Sequence, residues 1–174
     1  MAQNPFAESA EDLVLEAPGI DDGADLWRLT RDAGSLDLNS AYHYLLWCRD
    51  FAATSVVARH DGRICGFVTG YVRPDVPDTL MVWQVAVAPD ARKRGLAARM
   101  IDELLQRRGR FGQKYVEATV TPGNTASMAL FRGFGRDRGA PVRECDLFAA
   151  AQFPGGGHEP EVLFRIGPVD PIGG

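Results

Sequence analysis

Apolar residues recur along this chain with two different periods, and the changes of period divide it into elements. Leu96, Met100, Ile101, Leu104 and Leu105 form one stripe at 3.6 residues per turn, which predicts a helix from about Arg92 to Arg107. Leu26, Trp27 and Leu29 mark an earlier helix that Asp21 and Asp22 are placed to cap and Gly34 to close. A second helix starts near Asn39 or Ser40 and presents Tyr42, Leu45 and Leu46. The last helix is capped by Asn124 and ends at Gly133, with Phe134 folding back onto its final turn.

Period-two and short apolar runs predict the strands. These are Leu13 to Leu15, Ser55 to Arg59, Ile64 to Val68, about Leu80 to Ala88, Tyr115 to Thr121, Arg143 to Phe148 and Glu161 to Ile166. The Asp61-Gly62 turn makes a hairpin of the second and third, and Pro74 and Pro77 break the chain before the fourth. The order is strand, two helices, three strands, helix, strand, helix, two strands. It predicts an α/β protein with one mixed, twisted sheet and helices on both faces. The expected organisation is one domain over residues 11–167, with flexible termini at 1–10 and 168–174.

Composition narrows the function classes. At 174 residues, 45% hydrophobic and 24% charged, the chain has the composition of a single water-exposed globular domain. A net charge of −4 and a pI of about 5.4 argue against a nucleic-acid partner. The apolar runs are of strand length and too short for a membrane span, and Met1 to Pro5 lacks the pattern of a signal peptide. Cys48, Cys65 and Cys145 are scattered and odd in number, which suits a reducing cytoplasm. The histidines, at 43, 60 and 158, are scattered too, so no metal site is expected.

Against this acidic background Arg92-Lys93-Arg94-Gly95-Leu96-Ala97 stands out, between the strand Val85-Ala86-Val87 and a helix. A helix start carries unpaired N–H groups and partial positive charge, so it can hold a phosphate, and Gly95 lets a ligand come close to the backbone. Neither the P-loop pattern nor the dinucleotide Gly-x-Gly-x-x-Gly is present. The segment fits Arg/Gln-x-x-Gly-x-Gly/Ala instead. With the second segment, Asn124-Thr125-Ala126-Ser127-Met128-Ala129-Leu130-Phe131-Arg132-Gly133-Phe134, it resembles the GNAT family of N-acetyltransferases over about Leu13 to Ile166.

The resemblance implies the GNAT (acyl-CoA N-acyltransferase) fold and acetyl-CoA as the acetyl donor. It places coenzyme A on Val85, Ala86, Val87, Arg92, Lys93, Arg94, Gly95, Leu96, Ala97, Ala98, Asn124, Ser127 and Phe131. It also implies that a backbone N–H after Trp83 polarises the thioester, with direct attack by the amine. Cys65 and Cys145, in strand patterns without a neighbouring His, read as small core residues. Where many members have a tyrosine as general acid, this chain has Phe131, which leaves Tyr115 or a water for that role. Alternation puts Tyr115, Glu117, Thr119 and Thr121 on one strand face. Glu117 is therefore either a general base or an exposed strand carboxylate.

Three further stretches, Asp37 to Tyr44, Val82 to Val87 and His158 to Phe164, resemble the subfamily that acetylates the small diamine L-2,4-diaminobutyrate on the route to the compatible solute ectoine. A diamine acceptor asks for acids, and Asp37 and Glu161 are candidates to hold an ammonium. Tyr42, Trp83, Thr121, Asn124 and His158 are candidate walls and hydrogen-bond partners, with Arg73 a candidate for the substrate carboxylate. Tyr42 and Trp83 fit equally well as core aromatics. Other readings stay open: acetylation of a polyamine, an amino acid or an aminoglycoside, or a non-catalytic acetyl-CoA sensor. The family habit and the apolar late strands suggest a homodimer.

Overall fold

A computed structural model of the chain describes residues 13–34, 36–109 and 112–169. The strands are β1 (Leu13–Glu16), β2 (Val56–His60), β3 (Arg63–Val72), β4 (Thr79–Val87), β5 (Tyr115–Val120), β6 (Val142–Phe148) and β7 (Glu161–Ile166). The helices are α1 (Gly23–Ala33), α2 (Ala41–Asp50), α3 (Leu96–Gly109) and α4 (Thr125–Asp137), so the element order is the expected one. The strands form one mixed sheet in the order β1-β2-β3-β4-β5-β7-β6, with β4 and β5 parallel from Thr79↔Tyr115 to Val82↔Ala118. The residues fall into two compact units, one built from the chain up to Tyr71 plus Gln84–Leu104, the other from Val72–Trp83 and Leu105 onward.

In the first unit, Leu26 of α1 and Tyr44 and Cys48 of α2 bury against Val57, Phe67 and Ala86, with Trp27, Leu29, Leu36 and Ile64 around them. The predicted stripe of α3 is buried throughout. Gly66 of β3 lets α3 in: a Cβ there would stand 3.1 Å from the Met100 methyl and 3.4 Å from Leu96. At the other end of α1, Gly34 closes the helix at φ 64°, as expected.

Three local expectations are corrected. Helix α2 buries Tyr44 and Cys48, one turn apart, and leaves Tyr42 67% exposed and Leu45 41% exposed. Apolar side chains surround this helix, so period alone does not select a face, whereas the Tyr44 hydroxyl finds a buried partner in Gln84. Asp22 occupies the N-cap of α1 without capping it; its carboxylate accepts from Gly19 N–H at 2.8 Å and from Arg59 Nη2 at 2.7 and 2.8 Å. Helix α4 continues through Gly133 and Gly135 to Asp137, and the left-handed residue is Gly139, at φ 59°.

Helix α3 also starts later than expected, at Leu96, because Lys93 and Gly95 sit at φ 61° and 72° and cannot be helical. Of the termini, residues 1–10 and 170–174 lie outside the described residues. Pro168 and Val169 are described: Val169 is buried and its N–H donates to Lys114 O at 2.7 Å.

In the second unit, Gly135 is a packing glycine. An added Cβ would collide with the Val142 side chain and come within 3.2 Å of Ala140 O, whereas at Gly133 it would meet only the end of Arg136 at 3.5 Å. Gly133→Ala is expected to stabilise the protein by up to about 1 kcal/mol through helix propensity. Gly135→Ala is expected to destabilise it by about 1–3 kcal/mol through overpacking. Urea unfolding of both variants checks the pair, and equal midpoints would refute the packing assignment.

Candidate active site

Candidate residues occur in both units. In the first, the turn after β4 folds as the sequence dictates: Pro89 starts a short helical turn, Lys93 and Gly95 take left-handed conformations, and α3 begins. Its first intrahelical bond joins Arg99 N–H to Gly95 O at 3.0 Å. The N–H groups of Leu96, Ala97 and Ala98 are therefore the ones that lack a helical acceptor. Gly95 has no side chain with which to cap them, and the first turn contains no acid. Nothing lies within 4 Å of where a Gly95 Cβ would be. Arg92, Lys93 and Arg94 are exposed beside this opening, and Arg92 Nε donates to Val87 O at 3.0 Å. Open backbone, a helix dipole and three cations favour an anion at this position, where each favourable charge at a helix end contributes roughly 0.3–1 kcal/mol.

Also in the first unit, Asp37 is exposed in the connection between α1 and α2, and Ser40 caps α2 by accepting from His43 N–H. Sequence reasoning passed over Gln84. It is buried in β4, accepts from Tyr44 Oη at 3.1 Å, and donates through Nε2 to Asp37 O at 2.8 Å. Its signal was weak, a single polar residue inside an apolar strand.

In the second unit, Glu117 is 3% exposed, which removes the reading of an exposed strand carboxylate. Its Oε2 accepts from Arg73 Nη1 at 2.9 Å and its Oε1 from Arg165 Nη1 at 2.5 Å. Arg165 also donates to Thr79 Oγ1 at 3.1 Å and lies 4.0 Å above the Tyr115 ring. Glu117, Arg73 and Tyr115, chosen from the sequence for separate reasons, thus form one cluster, and Arg165 is the member the sequence did not reveal.

The structure brings the turn after β5 and the loop before β7 together. Asn124 caps α4 by accepting from Ser127 N–H at 3.1 Å, and its own N–H donates to Thr121 O at 3.0 Å. Gly123 N–H donates to Glu159 at 3.0 Å, and a Cβ at Gly123 would stand 2.7 Å from that carboxylate. The neighbouring His158 stacks on Phe153 at 3.8 Å. Glu159 was missed beside the more prominent Glu161, which is half-buried at the start of β7. Trp83 is 46% exposed, so it and Tyr42 are not core aromatics. Phe131 is buried, its ring 6.0 Å from Phe164.

Cys48 and Cys65 do not read as nucleophiles. Burial pushes the Cys48 thiol up to about 11 and the Cys65 thiol upward, and Cys65 Sγ donates to Ala58 O at 3.4 Å. Cys145, expected in the core, is exposed on β6 because every residue of that end strand after Val142 is exposed. Among the described residues no group of His, Cys, Asp and Glu could hold a metal ion, and no helix is long and apolar enough to cross a membrane.

A sequence model of the acetyltransferase (GNAT) family matches residues 23–135. The L-2,4-diaminobutyric acid acetyltransferase of Streptomyces coelicolor is 57% identical over 160 residues, covering 91% of this chain and 94% of that one. Its counterpart in Streptomyces avermitilis is 52% identical over 169 residues, with 96% and 94% covered. The structure is similar to that of the diaminobutyrate acetyltransferase EctA from Paenibacillus lautus, solved in complex with its substrate L-2,4-diaminobutyric acid and coenzyme A. The TM-score is 0.85 at 42% identity, over 92% of this chain and 98% of that one.

Gly95→Glu is expected to weaken coenzyme A binding by about a hundredfold, roughly 3 kcal/mol. A side chain at φ 72° is strained, and the carboxylate would face the site meant for phosphate. Calorimetric titration measures this, and undiminished affinity would remove the α3 start as the phosphate site.

Proposed function

Because the chain belongs to the GNAT acetyltransferase family, we propose that it transfers the acetyl group of acetyl-CoA to the γ-amino group of L-2,4-diaminobutyrate, a step toward ectoine. It is an acetyl-CoA-dependent N-acetyltransferase. The observation that carries the reading is the uncapped, glycine-led start of α3 beside Arg92, Lys93 and Arg94, which supplies the N–H groups and positive charge that a pyrophosphate needs. On this reading the backbone of β4 along 85–87 meets the pantetheine arm.

The acceptor brings two ammonium groups and one carboxylate. An alkyl amine with a pKa of about 10 must be neutral to attack, which costs about 4 kcal/mol at pH 7 unless the site takes up the proton. Asp37 or Glu161 is read as the acid that holds the ammonium that does not react. Arg73 gives one N–H to Glu117 and, with five donors on its planar head, has others to offer the substrate carboxylate. The neutral amine attacks the thioester carbon directly, the tetrahedral oxygen is met by a backbone N–H after Trp83, and the thiolate of coenzyme A leaves. The raised thiols of Cys48 and Cys65 support attack without an acyl-enzyme.

Glu117 enters this scheme with each oxygen accepting from an arginine, which supports anchoring Arg73 and Arg165 over taking the amine's proton. Glu117→Gln is then expected to cost about 2–3 kcal/mol of stability while the shape of the kcat–pH profile is kept. Loss of the acidic limb of that profile would instead make Glu117 the base. Tyr115, under Arg165, is the group to replace with Phe in the search for the general acid.

The enzyme is read as a cytoplasmic homodimer. Strand β6 lies at the end of the sheet with Leu147 and Phe148 over 40% exposed, which suits pairing with a second copy, and sedimentation at working concentration tests it.

The deciding experiment is thiol release from acetyl-CoA with L-2,4-diaminobutyrate beside lysine, ornithine and spermidine. A preference for diaminobutyrate of about tenfold or more in kcat/KM, with the product acetylated at the γ nitrogen, is expected. Preference for another amine would keep the acetyltransferase and discard the substrate, and no turnover with acetyl-CoA bound would favour a sensor.

A further inference from the structure

Gln84 and Tyr44 are buried polar groups of the first unit that no step above uses. Buried side-chain amides need partners for both ends, since an unpaired buried polar group costs about 1–3 kcal/mol. A backbone carbonyl can only accept, so the Gln84 end facing Asp37 O must be Nε2, and its Oε1 is then left to accept from the Tyr44 hydroxyl. The direction of the whole relay is fixed by chemistry: Tyr44 Oη–H to Gln84 Oε1, then Gln84 Nε2–H to Asp37 O. Tyr44 itself is 0% exposed, with its ring edge-on to Phe67 at 6.4 Å, so the first donor in the relay is rigid.

What the relay holds is a segment with no ladder or helix of its own. Asp37 lies between the left-handed end of α1 at Gly34 and the N-cap of α2 at Ser40. Leu36 packs against the core on one side of it, and the Gln84 bond grips its backbone. The Asp37 side chain is exposed, and these attachments fix the backbone from which it extends. We propose that Gln84 and Tyr44 are positioning residues: acting through the Asp37 backbone, they set where the Asp37 carboxylate meets an ammonium of the diamine substrate. This rests on the reading of Asp37 as an acceptor-site acid.

The test is a double-mutant cycle on the full-length enzyme, with acetyl-CoA and L-2,4-diaminobutyrate as substrates. Gln84→Met keeps the length and burial of the side chain and removes both hydrogen bonds. It is expected to raise the KM for diaminobutyrate about tenfold and leave the KM for acetyl-CoA within about twofold. Tyr44→Phe, which leaves the Gln84 donor to Asp37 in place, should give a smaller rise of about threefold. In an Asp37→Asn background the Gln84→Met effect should largely vanish, because both changes act on one contact.

Independent, multiplying effects would overturn the proposal, as would an equal rise in the KM for acetyl-CoA or an Asp37→Asn variant with unchanged kinetics. Should Gln84→Met fail to fold, Tyr44→Phe in the two Asp37 backgrounds reads the same coupling. A wild-type enzyme that does not turn over diaminobutyrate would sink the substrate assignment instead, a result visible before any variant is made.

Discussion

Helix α3 begins at a glycine, so its first amide groups have no side chain of their own to satisfy them. Most helices resolve this with Ser, Thr, Asp or Asn at the N-cap, as α2 does with Ser40 and α4 with Asn124. At α3 the chain uses left-handed turns at Lys93 and Gly95 and three basic residues, a combination that keeps the N–H groups available and the potential positive. The position of that helix start is fixed from beneath, because Gly66 lets Met100 and Leu96 approach β3 closely. Glycine at both places, in β3 and at the cap, sets where this helix begins and leaves its first turn without a side chain in front of it.

The second unit answers a different electrostatic problem. A carboxylate as buried as Glu117 is tolerable only if its oxygens are paired, and here each takes a guanidinium donor. Each arginine keeps further N–H groups beyond the one given to Glu117, and the half-buried pair is held in place by the acid between them.

The sequence made the element order, the α3 stripe and the basic turn legible because each depends on residues close in the chain. The face of α2 was not legible: its apolar residues surround the helix, and Tyr44 faces inward because of a partner forty residues away. Gly133 misled because a glycine in sequence signals a helix stop, while the close tertiary contact of this helix is made two residues on, at Gly135. The candidate site divides along that line too. Arg92 to Ala98 were found as a local pattern, whereas Arg165, Glu159 and Gln84 matter through partners distant in sequence, and only their coordinates reveal them.

Two of those three missed residues share a role. Glu159, just before β7, receives the Gly123 amide at the turn before α4, and Gln84 of β4 holds the Asp37 carbonyl, whereas Arg165 pairs with its cross-strand neighbour Glu117 inside the sheet. Loops carry the residues that meet ligands because they are free of ladder bonds, and that same freedom would blur their positions by more than recognition tolerates. A hydrogen bond from a buried strand residue to a loop backbone resolves the conflict. At Asp37 it fixes the main chain while the residue stays exposed. On the proposed function, Gln84 bears on specificity through the Asp37 backbone that it anchors.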